Sequence, residues 1–162
     1  MHELLPLPEG SKPVVYAALA RHAEALVEGE RDKIANAANI VALLYHSLPD
    51  ISWCGFYFLR GKQLIVGPFQ GKPACVRIAL GRGVCGQAAE LQKTLLVADV
   101  ACFPDHIYCD PDARSEIVVP LVRDGKLLGV LDLDAPITDR FDDQDKRGIE
   151  KVADIWLHSF KR

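Results

Sequence analysis

Five cysteines, one histidine and three acids set the chemistry open to this chain. Cys54, Cys75, Cys85, Cys102 and Cys109 are an odd number in 162 residues. A chain of this length builds a full core without disulfide staples, so its thiols are better read as free, reactive or metal-binding. Cys109 stands apart. It lies in "HIYCDPDARSE", between a tyrosine and an Asp-Pro-Asp turn, in a polar loop near His106. The thiolate is the nucleophilic form, and a polar, accessible loop favours it. Cys75 follows the turn Gly71-Lys72-Pro73-Ala74. An exposed, mobile thiol and strand-edge packing fit Cys75 equally well. Cys85, in "GRGVCGQ", sits where a helix should begin, a position that lowers a thiol's pKa. Cys54 lies inside "SWCGFYF" and reads as a small core hydrophobe. Cys102, before Phe103-Pro104, is either buried or a bystander.

Cys102, His106 and Cys109 have metal-ligand types, and Cys75 or Cys85 could complete a tetrahedral set. The compact C-x-x-C pairs of structural zinc sites are missing, and a core this size needs no metal. Free thiols are the better reading, with no metal and no cofactor. Gly81, Gly83 and Gly86 spell G-x-G-x-x-G after a strand and before a helix. Hairpins flank the motif, and no βαβαβ half exists to form a dinucleotide crevice. The glycines read instead as a tight turn that lets backbone approach closely.

The acids are placed by a hairpin, "EIVVPLVRDGKLLGVLDLD". A three-residue connection, Arg123-Asp124-Gly125 with Gly125 left-handed, pairs Val122 with Lys126 and Val118 with Val130. Glu116 then faces Asp132, and strand alternation puts Asp134 on the same face. The other face carries Ile117, Val119, Leu121, Leu127, Leu131 and Leu133. Three acids so close raise one another's pKa where partly buried, and a carboxyl holding its proton near neutral pH can serve as a general acid. A two-residue turn would put Glu116 on the opposite face.

The elements that must hold these groups are read by periodicity. Residues 11–27 form a helix with Ser11 as N-cap and Val14, Val15, Ala18 and Ala25 on its apolar stripe. Residues 30–48 form a second helix through Ile34, Ala38, Val41 and Leu44. A hairpin turns at Gly61, short strands follow in "CVRIAL" and "KTLLVADV", and residues 101–115 are an irregular loop. A final helix from Asp142 carries Ile149, Val152, Ile155, Trp156 and Phe160 inward. This order is not a βαβ alternation. It argues for an α+β domain, an antiparallel sheet with helices packed on it. One domain spans residues 1–162: helices in 11–48, sheet and site loops in 51–136, a closing helix in 142–161.

Hydrophobic residues make up 49% and charged residues 25%, which suits a globular domain. The net charge of −3, without a basic cluster, excludes nucleic acid and anionic membrane as favoured partners. The N-terminus lacks an apolar signal region, and no run is long enough to span a bilayer. The cytosol is the expected compartment.

The segments "SWCGFY", "GPFQGKPAC", "GRGVCGQAA", "DVACFPDHIYCD", "RSEIVVPL", "DGKLLGVLDLD" and "RFDDQD" together resemble the free methionine-(R)-sulfoxide reductases, a GAF-domain family. The resemblance implies a GAF-like sheet and roles for named residues. Cys109 would be the catalytic cysteine, Cys75 the resolving one, and Cys85 a third that contributes to disulfide exchange. Glu116, Asp132 and Asp134 match the acidic substrate-site residues. Trp53 matches the pocket tryptophan, and Tyr57, on the same strand face, would line the pocket. Cys54 and Tyr108 depart from the family pattern. Free methionine-(R)-sulfoxide would be the substrate and thioredoxin the reductant, with a homodimer compatible. A ligand-sensing GAF module is the competing reading.

Overall fold

The computed structural model describes residues 6–160. Its elements are α1 (Lys12–Val27), α2 (Lys33–Ser47), β1 (Trp53–Arg60), β2 (Gln63–Gln70), β3 (Arg77–Ala79), α3 (Gly83–Leu91), β4 (Leu95–Val97), β5 (Ser115–Arg123), β6 (Lys126–Ala135) and α4 (Asp143–His158). A single 3-10 turn at Val100–Cys102 opens the long loop before β5. The six strands form one antiparallel sheet in the order β3-β2-β1-β6-β5-β4. The α+β architecture expected from the sequence is what forms.

Each face of the sheet has its own core. On one, Phe56, Ile117, Val119, Leu121, Leu131 and Leu133 pack under α1, α2 and α4 through Leu19, Ile40, Leu44, Ile149, Val152 and Trp156. Cys54 is fully buried there, as its apolar neighbours require. On the other, Trp53, Tyr57, Leu64, Val118 and Val130 meet α3 through Val84, Cys85, Ala88 and Ala89. The second face is the smaller, and it holds the acids.

Helix boundaries follow local chemistry. The Asp32 carboxylate accepts from the N–H groups of Ile34 and Ala35 at 2.8 and 2.9 Å, so α2 starts at Lys33 rather than at 30. Asp142 and Asp145 form a reciprocal capping box at the start of α4. Ser11 stands at the N-cap of α1, but its side chain makes no capping bond. The expected stripes hold in part: Val15, Ala18, Val41 and Leu44 pack inward. Val14, Ala25, Ile34 and Ala38 face outward, while Tyr16, Leu19, Ala20, Ala23 and Val27 bury α1. Tyr16 anchors α1 to the start of α4. Its hydroxyl donates to the buried Asp145 carboxylate at 2.7 Å, and Arg140 and Lys12 hold the same group. The final helix ends at His158, short of 160; residue 161 lies outside the described residues.

The hairpin that carries the acids departs from the expected register. The turn has two residues, Asp124 and Gly125, both with positive φ (53° and 73°), and pairs Arg123 with Lys126. These are the signs of a type I′ turn. Such a turn alone would send Glu116 to the wrong face. The register then shifts between Val122 and Leu121, with Leu128 inserted opposite, and the bulge restores parity. Glu116 pairs with Asp134, and Val118 with Asp132. The three acids keep their common face, two residues out of the expected register. Leu127 pays for the bulge by switching sides, and packs with the site-face cluster instead of the helix-face core.

Candidate active site

The carboxyls of Glu116, Asp132 and Asp134 lie side by side on β5 and β6, each with only 5% of its surface exposed. Together with Cys85, His106, Cys109, Asp110, Arg82 and Ala113 they line a cavity of about 20 Å³. That is room for about one water molecule. Burial raises the pKa of all three acids, and their mutual repulsion adds to the rise for Asp132 and Asp134. Glu116 is pushed up to about 8. Asp132 is raised well above the usual carboxylate range by burial and by the neighbouring Glu116 charge. The pair titrates as a unit that retains proton at neutral pH.

Cys85 occupies the first turn of α3, as expected, but the helix terminus does not govern its thiol. It donates to Asp132 Oδ2 at 3.3 Å and lies 4.0 Å from Glu116 Oε1. Burial, then the negative charge of Asp132 and Glu116, push its pKa well up. Cys85 is a buried neutral thiol, not an activated thiolate. Position alone suggested the opposite because the acids facing Cys85 come from strands about 30 and 50 residues further along the chain. Gly86 lets α3 seat here: a Cβ at this position would stand 2.4 Å from the carbonyl oxygen of Ala79. The G-x-G-x-x-G motif thus serves close packing.

Cys75 and Cys109 are joined by a disulfide, with their α-carbons 5.1 Å apart. That is inside the ~7 Å reach a disulfide requires. The bond clips the 71–76 loop after β2 onto the loop before β5, and Cys109 lines the acidic cavity. An exposed ion pair between Lys72 and Asp112 makes a second link between the same loops. Because Cys109 is in this bond, it cannot join Cys102 and His106 as a metal ligand, and Cys102 is exposed.

Trp53 and Tyr57 share the site face, but they do not line the cavity. Their polar atoms hold the Cys75 loop from beneath. Trp53 Nε1 donates to the Lys72 carbonyl at 3.0 Å, and the Tyr57 hydroxyl donates to the Cys75 carbonyl at 3.1 Å. Gly55 makes this arrangement fit, since a Cβ there would fall 2.3 Å from the Trp53 ring. Phe69 stacks on the indole with centroids 5.3 Å apart.

The family model described as GAF domain matches residues 32–155. The free methionine-R-sulfoxide reductase of Escherichia coli is 47% identical over 143 residues, 88% of this chain and 87% of the relative. The protein of that name from Saccharomyces cerevisiae is 44% identical, over 82% of this chain and 78% of its own length. This chain belongs to the free methionine-R-sulfoxide reductase family of GAF domains. A crystal structure of such a reductase from Neisseria meningitidis, described as in complex with its substrate, superposes with a TM-score of 0.94 at 41% identity, covering 99% of this chain and 96% of that one.

Two groups around the site of this family member escaped the sequence reading. His106 was noticed as a neighbour of Cys109, yet its ring reaches the acids: Nε2 lies 3.1 Å from Glu116 Oε2, and burial lowers its pKa. Asp110 looked like a turn residue. It is buried, accepts from Ser52 Oγ at 2.6 Å and from the Asp112 N–H at 3.1 Å, and so anchors the Cys109 loop to the end of β1. The Asp-Pro-Asp pattern carried the local turn. Nothing in sequence carried the reach to Ser52.

Proposed function

We propose that this chain reduces free L-methionine-(R)-sulfoxide to methionine, with Cys109 as nucleophile and Cys75 as resolving thiol. The observation that carries the reading is a Cys75–Cys109 disulfide whose Cys109 lines one cavity with three buried, proton-retaining carboxyls. The Cys109 thiolate attacks the sulfoxide sulfur, and the carboxyl cluster protonates the oxygen. The oxygen passes to Cys109, methionine leaves reduced by two electrons, and Cys109 becomes a sulfenic acid, oxidised by two. Cys75 then attacks Cys109 Sγ, and hydroxide departs as water with a proton from the site. An external dithiol of the thioredoxin type returns both thiols by exchange. Cys85, kept neutral beside Asp132, is a reserve partner for that exchange. Free thiols at Cys54, Cys85 and Cys102 suit a reducing cytosol.

The disulfide form has no room for methionine sulfoxide in its cavity. Reduction unclips the Cys75 loop, and Trp53 and Tyr57 beneath it then face the methyl-sulfur end of the substrate. Asp134 and its neighbours read the amine, which makes the free amino acid the preferred substrate. The test is a parallel assay of free methionine-R-sulfoxide, its S epimer and a peptide-bound form. Turnover of the free R epimer alone supports the reading; equal turnover of the peptide form or of the S epimer sinks it.

Tyr57→Phe removes the hydroxyl that holds the Cys75 carbonyl and leaves the ring. The first methionine should form at the wild-type rate, while disulfide closure slows several-fold. Rapid quench with a sulfenic-acid trap measures both steps.

A further inference from the structure

We propose that the acidic cavity is also a binding site for one divalent, borderline-soft cation of the Zn²⁺ type, held by Cys85, Glu116 and Asp132. One ligand atom from each of these residues lies within 4.8 Å of the other two, and all three side chains are buried. Tetrahedral zinc with bonds of ~2.3 Å to sulfur and ~2.0 Å to oxygen needs sulfur-to-oxygen edges of about 3.5 Å. The observed edges are 3.3 Å from Cys85 Sγ to Asp132 and 4.0 Å to Glu116, so closure takes shifts of a few tenths of an ångström.

A second observation points the same way. Asp132 is 5% exposed, lines the cavity, and its Oδ1 has no hydrogen-bond partner. Its acceptor capacity is unspent beside a space of about 20 Å³, which suits a water as fourth ligand. His106 Nε2, 3.1 Å from Glu116 Oε2, supplies the outer contact that orients a ligating carboxylate. Arg82 also lines the cavity, but its guanidinium is paired with Asp105 and leaves the acids uncompensated. A thiolate in the set selects zinc-like ions over Mg²⁺ or Ca²⁺, which take oxygen ligands in larger number. On binding, the Cys85 proton and the proton retained by the Glu116–Asp132 pair leave to solvent.

This site differs from the Cys102–His106–Cys109 set that sequence suggested, and its cation is a reversible occupant, not a structural one. Its consequence rests on the function proposed above: the ion takes the carboxyls that would protonate the sulfoxide oxygen, and so inhibits.

The test uses full-length Cys102→Ser protein in the disulfide form, which removes the exposed thiol and leaves Cys54 sealed in the opposite core. Co²⁺ is titrated as a spectroscopic stand-in. The expected result is a sulfur-to-cobalt charge-transfer band that saturates at one ion per chain and disappears when Zn²⁺ is added. Cys85→Ser should abolish the band, and Asp132→Asn should weaken binding at least about tenfold while retaining it. Absence of the band in the Cys102→Ser protein, or binding unchanged in both variants, overturns the proposal. None of these readouts requires turnover. A failed catalytic reading would show instead as metal-free protein that forms no methionine.

Discussion

Cys109→Ser should lower methionine formation from free methionine-R-sulfoxide by at least ~10⁴-fold, the scale on which loss of a covalent nucleophile acts. None of the three thiols outside the disulfide can take its place. Cys85 lines the same cavity, but burial and two acids hold it protonated. Cys54 lies in the opposite core, and Cys102 is exposed on the 3-10 turn away from the cavity wall. Cys75→Ser should behave differently. It keeps the nucleophile and releases about one methionine per chain, then stalls until a small thiol reduces Cys109 directly. Steady turnover of Cys109→Ser with dithiothreitol would rule out the assignment. So would a Cys75→Ser variant that makes no methionine at all while remaining folded.

Glu116→Gln should cost 10²- to 10⁴-fold in rate, the range of a lost general acid, and should change two pH profiles. The wild-type carboxyl, pushed up to about 8, delivers a proton below that value and loses it above. Methionine formation should therefore fall as pH rises through about 8, a limb the glutamine variant lacks. Folding stability moves the same way. The folded pKa of Glu116 lies above its ordinary value near 4.5, so folded protein binds more protons than unfolded protein between those limits. The resulting stability is fully present below about pH 4.5 and is lost as pH rises through about 8, by ~1.4 kcal/mol per pH unit for each such proton. Denaturant unfolding at pH 5 and pH 8.5 checks this. Wild type should lose a few kcal/mol more than Glu116→Gln between the two. Parallel losses would show that Glu116 does not hold its proton in the folded state.

What sequence disclosed about this site depended on the range of the interaction. Alternation along β5 and β6 put Glu116, Asp132 and Asp134 on one face, although the hairpin reaches that arrangement by a two-residue turn and a bulge rather than by a three-residue turn. The two routes differ by two residues, and a side-chain period of two cannot distinguish them. Leu127 is where the difference shows, because it lies between turn and bulge. The α1 stripe was right at Val15 and Ala18 but missed Tyr16, which is held inward by a hydrogen bond to Asp145, 129 residues away, that no helical periodicity contains. The Cys85 thiol was missed for the same reason, its local dipole overruled by burial and then by carboxylates from two distant strands. Trp53 and Tyr57 were rightly placed on the site face. Their hydrogen bonds to the Cys75 loop depend on where that loop folds back, which the strand pattern leaves open.

The central claim is that Cys109 accepts the substrate's oxygen and that Cys75 closes on it. Fully reduced wild-type protein, given one equivalent of free methionine-R-sulfoxide without reductant and then alkylated and mapped, tests it most directly. The account predicts close to one methionine per chain, a Cys75–Cys109 disulfide, and Cys54, Cys85 and Cys102 alkylated as thiols. Methionine release with Cys109 still alkylated as a thiol, or a first disulfide that joins Cys85 to Cys75 and leaves Cys109 out, would contradict it.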